Sequence, residues 1–207
     1  MIPDMAQIRQ PIRVLGDDAS KHVGITIAHN QVTCMGTGNA DTVSPGSADA
    51  ISVHRTVGVI VQGNTVIGSG DVGITVSQQC VNVVVAGNNI RECDSVGVCV
   101  GSSNSVDTRS ITVAGNVSVN NNQNRQNDNV TRAKAGVLVN RCLGVVVEGN
   151  NLGDTQSTHT QVNAVSVVDS QDVTIGSNAT RGITGPELYF EGSNARVKQV
   201  TLSTLVP

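Results

Sequence analysis

Apolar and polar residues alternate in short stretches that return along the chain at nearly regular intervals. The stretch at residues 83–90, Val-Val-Val-Ala-Gly-Asn-Asn-Ile, comes back in related form five more times. Each copy carries an aliphatic residue five and three positions before an asparagine. Apolar residues at i and i+2 indicate a half-buried strand, and a Gly-Asn step favours a sharp turn after it. The anchoring asparagines are Asn30, Asn64, Asn88, Asn116, Asn150 and Asn178.

A second alternating stretch precedes the asparagine phrase in five of the repeats, at residues 50–53, 73–76, 97–100, 136–139 and 164–167. The shortest interval between anchors is 24 residues, and the others are 28 or 34. Three short strands per coil at this period predict an all-β, single-stranded parallel β-helix of about six to seven coils with three short sheets. The aligned asparagines are expected to pass hydrogen bonds from coil to coil as a ladder.

The pattern Gly-Ile-x-Val, followed by Val-x-Val-x-Gly-Asn-x-Ile, resembles the repeat of right-handed parallel β-helix proteins of the pectin-lyase-like superfamily. The resemblance covers about residues 20–180 and implies a right-handed coil. It is specific for the fold and nearly silent about function, because the superfamily includes polysaccharide lyases and hydrolases, alginate epimerases, bacteriophage tailspikes and non-catalytic surface proteins. We expect residues 1–19 to form an irregular cap, 20–187 the repeats, and 188–207 a degenerate C-terminal coil or cap.

Composition narrows the functional classes only slightly. The formal charge of −3 is spread along 207 residues, which gives no footprint for nucleic acid, and no apolar run is long enough to insert into a membrane. No signal peptide is visible, and the five cysteines are an odd number, so a phage virion or a bacterial origin is favoured. Cys80 and Cys142 share one repeat position and are predicted to be buried. The polar run at residues 120–129 is expected to be mobile, and a longer parent chain stays open.

The long strands have outward positions that form a candidate ligand-binding face, and none of them is a carboxylate. A hydrolase needs two carboxylates across the sugar bond, and a calcium-assisted lyase needs several. No Cys/His spacing indicates zinc, so neither a metal nor another cofactor is expected. The predicted face consists of Ser52, Thr75, Cys99, Leu138 and Ser166.

Weaker catalytic candidates lie beside this face. His54 is the best single candidate for a general base, and Asp169 lies just beyond the end of a long strand. Asp71, Asp94 and Asp154 fall in adjacent loops. If these three were grouped with His54 within about 8 Å, an enzyme would be favoured, since paired carboxylates flank a glycosidic bond at such distances.

The second sheet has outward positions at Ile60, Val84 and Val146, in a series whose other members are threonines. Large aliphatic residues in line would give an apolar ribbon, which either loops or another copy of the chain would cover. Tailspikes of the resembled superfamily are side-by-side trimers, so the resemblance implies a homotrimer that uses this ribbon.

Two functions remain open from the sequence. The first is a non-catalytic scaffold or carbohydrate-binding module of a tailspike-like or bacterial surface protein. The alternative is a polysaccharide-degrading lyase, hydrolase or epimerase with a carboxylate site in loops or between subunits. Glycan binding usually uses exposed aromatic rings, and the chain has only Tyr189 and Phe190.

Overall fold

The computed structural model describes residues 11–17, 21–33, 49–102, 107–123 and 134–200, and in them the chain winds into a parallel β-helix of about seven coils. Each strand inside the stack pairs in parallel with the equivalent strands of the coils before and after it, and the strands of the first and last described coils pair on one side. The all-β fold, its three sheets and the coil number agree with the prediction from the repeat.

Each coil contributes strands to three sheets. The seven-stranded sheet contains, in spatial order, β1 (Ile12–Leu15), β5 (Ile51–His54), β9 (Ile74–Ser77), β12 (Val98–Gly101), β15 (Ala135–Asn140), β18 (Asn163–Val168) and β21 (Leu188–Glu191). The nine-stranded sheet contains β2 (His22–Val23), β3 (Thr26–Ala28), β6 (Thr56–Val57), β7 (Ile60–Gln62), β10 (Val81–Ala86), β13 (Thr108–Ala114), β16 (Cys142–Glu148), β19 (Gln171–Ile175) and β22 (Lys198–Gln199). The six-stranded sheet contains β4 (Gln31–Thr33), β8 (Thr65–Ile67), β11 (Asn89–Arg91), β14 (Val117–Val119), β17 (Asn151–Gly153) and β20 (Ala179–Arg181).

The lumen of the tube is filled by the aliphatic residues that define the repeat. In one coil Ile74 and Val76 come from β9, Val83 and Val85 from β10, and Ile90 from β11, and all five are fully buried. Burying each such side chain contributes roughly 1.5–3 kcal/mol, so a narrow core needs no aromatic residue.

The turn before each anchoring asparagine uses left-handed backbone. Gly63, Gly87, Gly115 and Gly149 have φ between 62° and 64°, and His29 takes the same conformation in the first coil. At Gly63 a side chain would also be too close to its neighbour, since a Cβ there would lie 2.8 Å from Nδ1 of His29. Glycine therefore satisfies both the backbone and the packing at this corner.

The asparagines form the predicted ladder. The side-chain oxygen of Asn88 accepts hydrogen bonds from the backbone N–H and from the side-chain amide of Asn64, both at 2.9 Å. Asn88 in turn donates to the side-chain oxygen of Asn116 at 3.0 and 2.9 Å. The same paired bonds connect the members from Asn30 to Asn178 without interruption.

The other corners use different residues for the same purpose. Cys80 and Cys142 are buried as predicted. At the corner before the seven-stranded sheet, the side-chain oxygen of Asn121 accepts the backbone N–H of Cys93 at 3.2 Å, and Asn121 donates to the side-chain oxygen of Gln161. The sequence placed Asn121 in a mobile polar run, but it is fully buried as part of a second, shorter amide stack; residues 124–129 of that run lie outside the described residues.

Candidate functional site

The residues predicted to form the ligand-binding face do lie in one row. Strand register aligns Ser52, Thr75, Cys99, Leu138 and Ser166 on the side of the seven-stranded sheet that points away from the lumen, which we call the outer face. The row is covered, however: Ser52 and Ser166 are fully buried, Thr75 and Leu138 are nearly so, and Cys99 is half-buried. The alternating pattern gives the direction of a side chain and says nothing about what lies over it, so ligand binding at this row remains a prediction.

The outer face divides into a polar half and an apolar half. The early coils carry Ser52 and His54 on β5 and Ser77 on β9, all buried. In the later coils Leu138 and Val168 pack with Val96 into a small cluster that Cys99 adjoins. Polar side chains are therefore concentrated in the early coils, although Asn140 and Ser166 are polar residues of the later ones.

Asp49, immediately before β5, is the residue that sequence reasoning missed. Its carboxylate accepts a hydrogen bond from the Ser52 hydroxyl at 3.2 Å and from the backbone N–H of Val72 at 3.3 Å. Burial raises the pKa of Asp49 to about 6, and the nearby Thr75 hydroxyl, those two hydrogen bonds and the Arg13 charge offset this only in part. The sequence analysis does not single out Asp49; its position directly before the strand stretch at 50–53 is the signal that could have found it.

His54 forms the closest polar contact of the outer face. Its Nδ1 lies 2.8 Å from the hydroxyl oxygen of Ser77, the residue beside it on the neighbouring strand. Burial lowers the pKa of His54 to about 4, and the positive charges of Arg13 and Arg55 act in the same direction. The ring is therefore neutral at pH 7 and can accept a proton.

Asp71 and Asp94 lie near Asp49, at the edge where the long strands begin. Backbone hydrogen bonds from Ser95 to Asp71 at 3.0 Å and from Asp94 to Ser69 at 2.9 Å fix the register of this corner. Asp49, Asp71 and Asp94 consequently occupy successive coils, each offset by one residue, with backbones about 6 Å apart by strand geometry. His54 lies at the far end of β5, five residues or about 16 Å along the strand from Asp49, so it does not join them.

Asp154 belongs to a different corner, after β17. Its carboxylate accepts backbone N–H groups of Thr160 at 2.6 Å, Gln161 at 2.9 Å and Gln156 at 2.9 Å, and His159 approaches to 3.6 Å. Burial alone would raise the pKa of Asp154, but these hydrogen bonds outweigh it and hold the pKa below its usual value. Asp154 organises its loop.

Asp169 is tied to the final coil. One carboxylate oxygen accepts the backbone N–H of Ser193 at 2.7 Å, and the other lies 3.6 Å from the Arg141 guanidinium. Its catalytic role, like that of Asp154, stays a prediction.

The aliphatic positions of the nine-stranded sheet are in line, as expected. Register joins Ile60 to Val84 and, through Thr112, to Val146. Ile60 is 38% and Val84 37% exposed, and Val146 is half-buried. A parallel row on the same sheet includes exposed Val23 and Leu143.

Within the described ranges, no three His, Cys, Asp or Glu side chains come together closely enough to hold a metal ion. No helix of these residues is long and apolar enough to cross a membrane.

Comparison with known proteins gives structural matches alone. No family model and no curated protein matches the sequence. The enzymatically active domain of tailspike protein 2 from bacteriophage CBA120 matches with a TM-score of 0.52 at 10% identity, covering 94% of this chain and 35% of that chain. The full-length tailspike protein 2 of an Escherichia coli O157:H7 bacteriophage matches with a TM-score of 0.52 at 11% identity, covering 93% of this chain and 31% of that one. At this identity the matches show a shared fold, and the chain spans about a third of the length of these tailspikes.

Proposed function

We propose that the chain is a rigid β-helix scaffold of a tailspike-like or bacterial surface protein, which associates with copies of itself, binds glycan and does not itself cleave glycosidic bonds. The observation that carries the proposal is the contrast between two sheets. The outer face of the seven-stranded sheet is buried, whereas the nine-stranded sheet leaves Ile60 and Val84 open to solvent in one row.

Self-association uses this aliphatic row. Single exposed aliphatic residues are ordinary on a protein surface, but two register-linked rows on one sheet bring several of them together in an apolar strip, which Thr112 and Arg109 interrupt. Three parallel tubes around a three-fold axis would bring the same strip of each copy to the axis, and this makes a homotrimer the expected assembly.

The test is the mass in solution of the wild-type chain and of Val84→Lys. We expect the wild type to scatter light as a multiple of its 21.3 kDa chain mass. Val84→Lys should dissociate into folded monomers with a lower melting temperature, because the contacts between subunits stabilise the folded state. Thr33→Lys, at an exposed position on the six-stranded sheet, is the matched control and should leave the assembly intact. A monomeric wild type contradicts the proposal.

Glycan binding is supported by the six-stranded sheet. Its outward positions Gln31, Asn89 and Asn151 are exposed and lie in one register column. Amide groups can both donate to and accept from sugar hydroxyls. They occur in every second coil, with Thr65 and Val117 in the coils between, so they are about 9.6 Å apart along the tube. A panel of bacterial surface polysaccharides should show binding that Asn89→Ala with Asn151→Ala weakens, without shortening of the polymer.

A polysaccharide-degrading enzyme is the second candidate, and the series Asp49, Asp71 and Asp94 favours it. Glycosidases pair a protonated with an ionised carboxyl group, and Asp49 has a pKa of about 6 beside Asp71. If the same panel shows depolymerisation that Asp49→Asn abolishes, this function replaces the first.

A further inference from the structure

We infer that the C-terminal end of the tube is a docking site for one extended peptide segment, in which an asparagine is followed two positions later by an aliphatic residue. The inference goes beyond the proposed function and does not depend on it, because the site lies at the end of the tube and requires neither a glycan nor an assembly.

The last described coil lacks its third strand. β21 and β22 extend the seven-stranded and nine-stranded sheets beyond β18 and β19, but no described strand follows β20 in the six-stranded sheet. β20 is therefore an edge strand, and the tube ends in a step that is one strand wide. A second copy of the chain does not fit this step, because its first coil would bring strands of all three sheets to a place where β21 and β22 already occupy two.

Backbone groups of the last ladder residue are open on the side of the step. In the coil before, the carbonyl oxygen of Asn150 accepts the N–H of Ala179 at 2.8 Å, and the N–H of Asn150 donates to the side-chain oxygen of Asn178 at 3.0 Å. The carbonyl oxygen and the backbone N–H of Asn178 have no such partner among the described residues. Both groups are equivalent to groups that the next coil satisfies everywhere else in the ladder.

The edge strand itself also presents backbone groups to the step. The N–H of Ala179 and the carbonyl oxygen of Arg181 are bonded toward the preceding coil, to Asn150 and Asp154. Alternate residues of a strand in a parallel sheet bond to opposite neighbours, so the N–H and C=O of Thr180 point the other way, into the step. Open backbone groups on an edge strand are a template for pairing with another extended chain.

A cavity of about 170 Å³ lies beside these groups. Its lining includes the lumen residues Val165, Ile175 and Leu188 together with Asn178 and Thr180. A cavity of about 150 Å³ can hold a benzene-sized apolar group, so this one has room for a large aliphatic side chain.

The repeat shows which segment matches the step. In the coil of Asn88, the asparagine oxygen accepts the backbone N–H of Asn64, and Ile90, two positions later, is fully buried in the lumen. A segment Asn-x-Ile laid along β20 would give Asn178 the same oxygen, pair with the backbone of Thr180 and place its isoleucine in the cavity. This is strand addition, in which backbone hydrogen bonds give affinity and side-chain pockets give specificity.

Residues 201–207 do not have this pattern. They contain no asparagine, and counting on from the pair Ile175–Gln199, the position that corresponds to Asn178 is Leu202. A leucine side chain accepts no hydrogen bond. The segment that completes the ladder is therefore supplied by another molecule.

The experiment titrates the full chain with the peptide acetyl-Ala-Gly-Asn-Asn-Ile-Arg-amide, which has the sequence of residues 86–91, at concentrations up to about 1 mM. We expect one peptide to bind per chain by calorimetry, and the backbone amides of Asn178 and Thr180 to exchange more slowly with deuterium. A peptide with leucine in place of its first asparagine should bind about tenfold more weakly, because the donors of Asn178 then lose their acceptor. A peptide with lysine in place of isoleucine should not bind, since the cavity is lined by aliphatic residues.

A proline at the edge tests the site from the side of the protein. Thr180→Pro removes the N–H that points into the step and should weaken binding of the unaltered peptide about tenfold. Gln31→Pro is the matched control, because Gln31 begins β4 at the opposite edge of the same sheet and its N–H points away from β8. This variant should bind the peptide as the wild type does, and circular dichroism melting checks that both variants are folded.

Two results overturn the inference. The first is a wild-type chain that binds no peptide, which would mean that the step is closed, for example by residues 201–207. The second is binding that is equally tight for the leucine-substituted peptide or for folded Thr180→Pro, since the peptide would then lie elsewhere.

Discussion

The asparagine ladder and the outer face of the seven-stranded sheet are both columns of register-aligned side chains on the same tube, and both are buried. The ladder repeats one residue in six coils, from Asn30 to Asn178. The outer face changes at every coil, from Ser52 through Cys99 to Leu138. Repetition in a solenoid reflects the demands of the fold, so a column that does not repeat is the better place to look for chemistry.

The two columns also differ in how well their polar groups are satisfied. Asn88 forms hydrogen bonds on both sides through its amide. The Ser166 hydroxyl of the outer face is buried and makes no hydrogen bond with any described residue, which costs about 1–3 kcal/mol. Hydrogen bonding of the ladder side chains thus stabilises the fold, whereas the buried Ser166 hydroxyl on the outer face destabilises it.

The largest effect should come from breaking the ladder at its centre. Asn88→Ala removes the oxygen that accepts the backbone N–H and the side-chain amide of Asn64. The amide also donates to the carbonyl oxygens of Ile27 and Gln62, so the buried backbone N–H is the donor that loses its acceptor. We expect a loss of about 3 kcal/mol in the free energy of unfolding, measured by urea denaturation. Asn89→Ala, at the exposed next position, should change it by less than about 0.5 kcal/mol. Equal effects of the two substitutions would mean that the hydrogen bonds of the ladder add nothing to stability beyond the loss of an asparagine side chain.

A smaller effect is expected at the Asp154 corner, which belongs to neither column. Asp154→Asn turns an NH₂ group toward N–H donors and should cost about 2–3 kcal/mol at pH 7. The pKa of Asp154 is lowered in the fold, so its contribution is present above the ordinary value of 3.8 and is lost as pH falls through the folded pKa. The difference between wild type and variant in thermal melts should therefore shrink at pH 3, and a constant difference would contradict this account.

The effect at Asp49 should be smallest and opposite in sign. Its pKa is raised to about 6, so the fold favours the protonated form, and wild-type stability falls as pH rises from about 4 to 6. Asp49→Asn is expected to stabilise the chain by about 1–2 kcal/mol at pH 8 and by nearly nothing at pH 4. Destabilisation at pH 8 would mean that the ionised carboxylate is a net favourable part of the outer face.

The sequence predicted the coils, the ladder and the lumen because each recurs with a period that strand geometry requires. Val83, Val85 and Asn88 occupy equivalent places in every coil, so six copies identify their role. The same logic correctly aligned Ile60 with Val84.

The burial and the contacts of the polar side chains on the outer face could not be derived in this way. His54 and Ser77 occupy equivalent positions of two repeats joined by the shortest interval, so the repeat places them side by side, but it does not predict their burial or the contact of Nδ1 with the hydroxyl group. The burial of Ser52 depends on groups outside the strand pattern, and the pKa of Asp49 depends on that burial. Such properties arise from what covers a repeat, which a periodic pattern does not encode.

The ladder also has a direction. The side-chain oxygen of a ladder asparagine accepts hydrogen bonds from the coil before it, and its own N–H groups donate to the asparagine oxygen of the coil after it. Removing the first coil would therefore leave only the oxygen of Asn64 without its ladder donors. Removing Asn178 would leave two N–H groups of Asn150 without their acceptor, which is the more costly loss because buried N–H groups without a partner are rare. During synthesis from the N-terminus, the N–H groups of each ladder asparagine therefore have no ladder acceptor until the next coil has folded onto the tube.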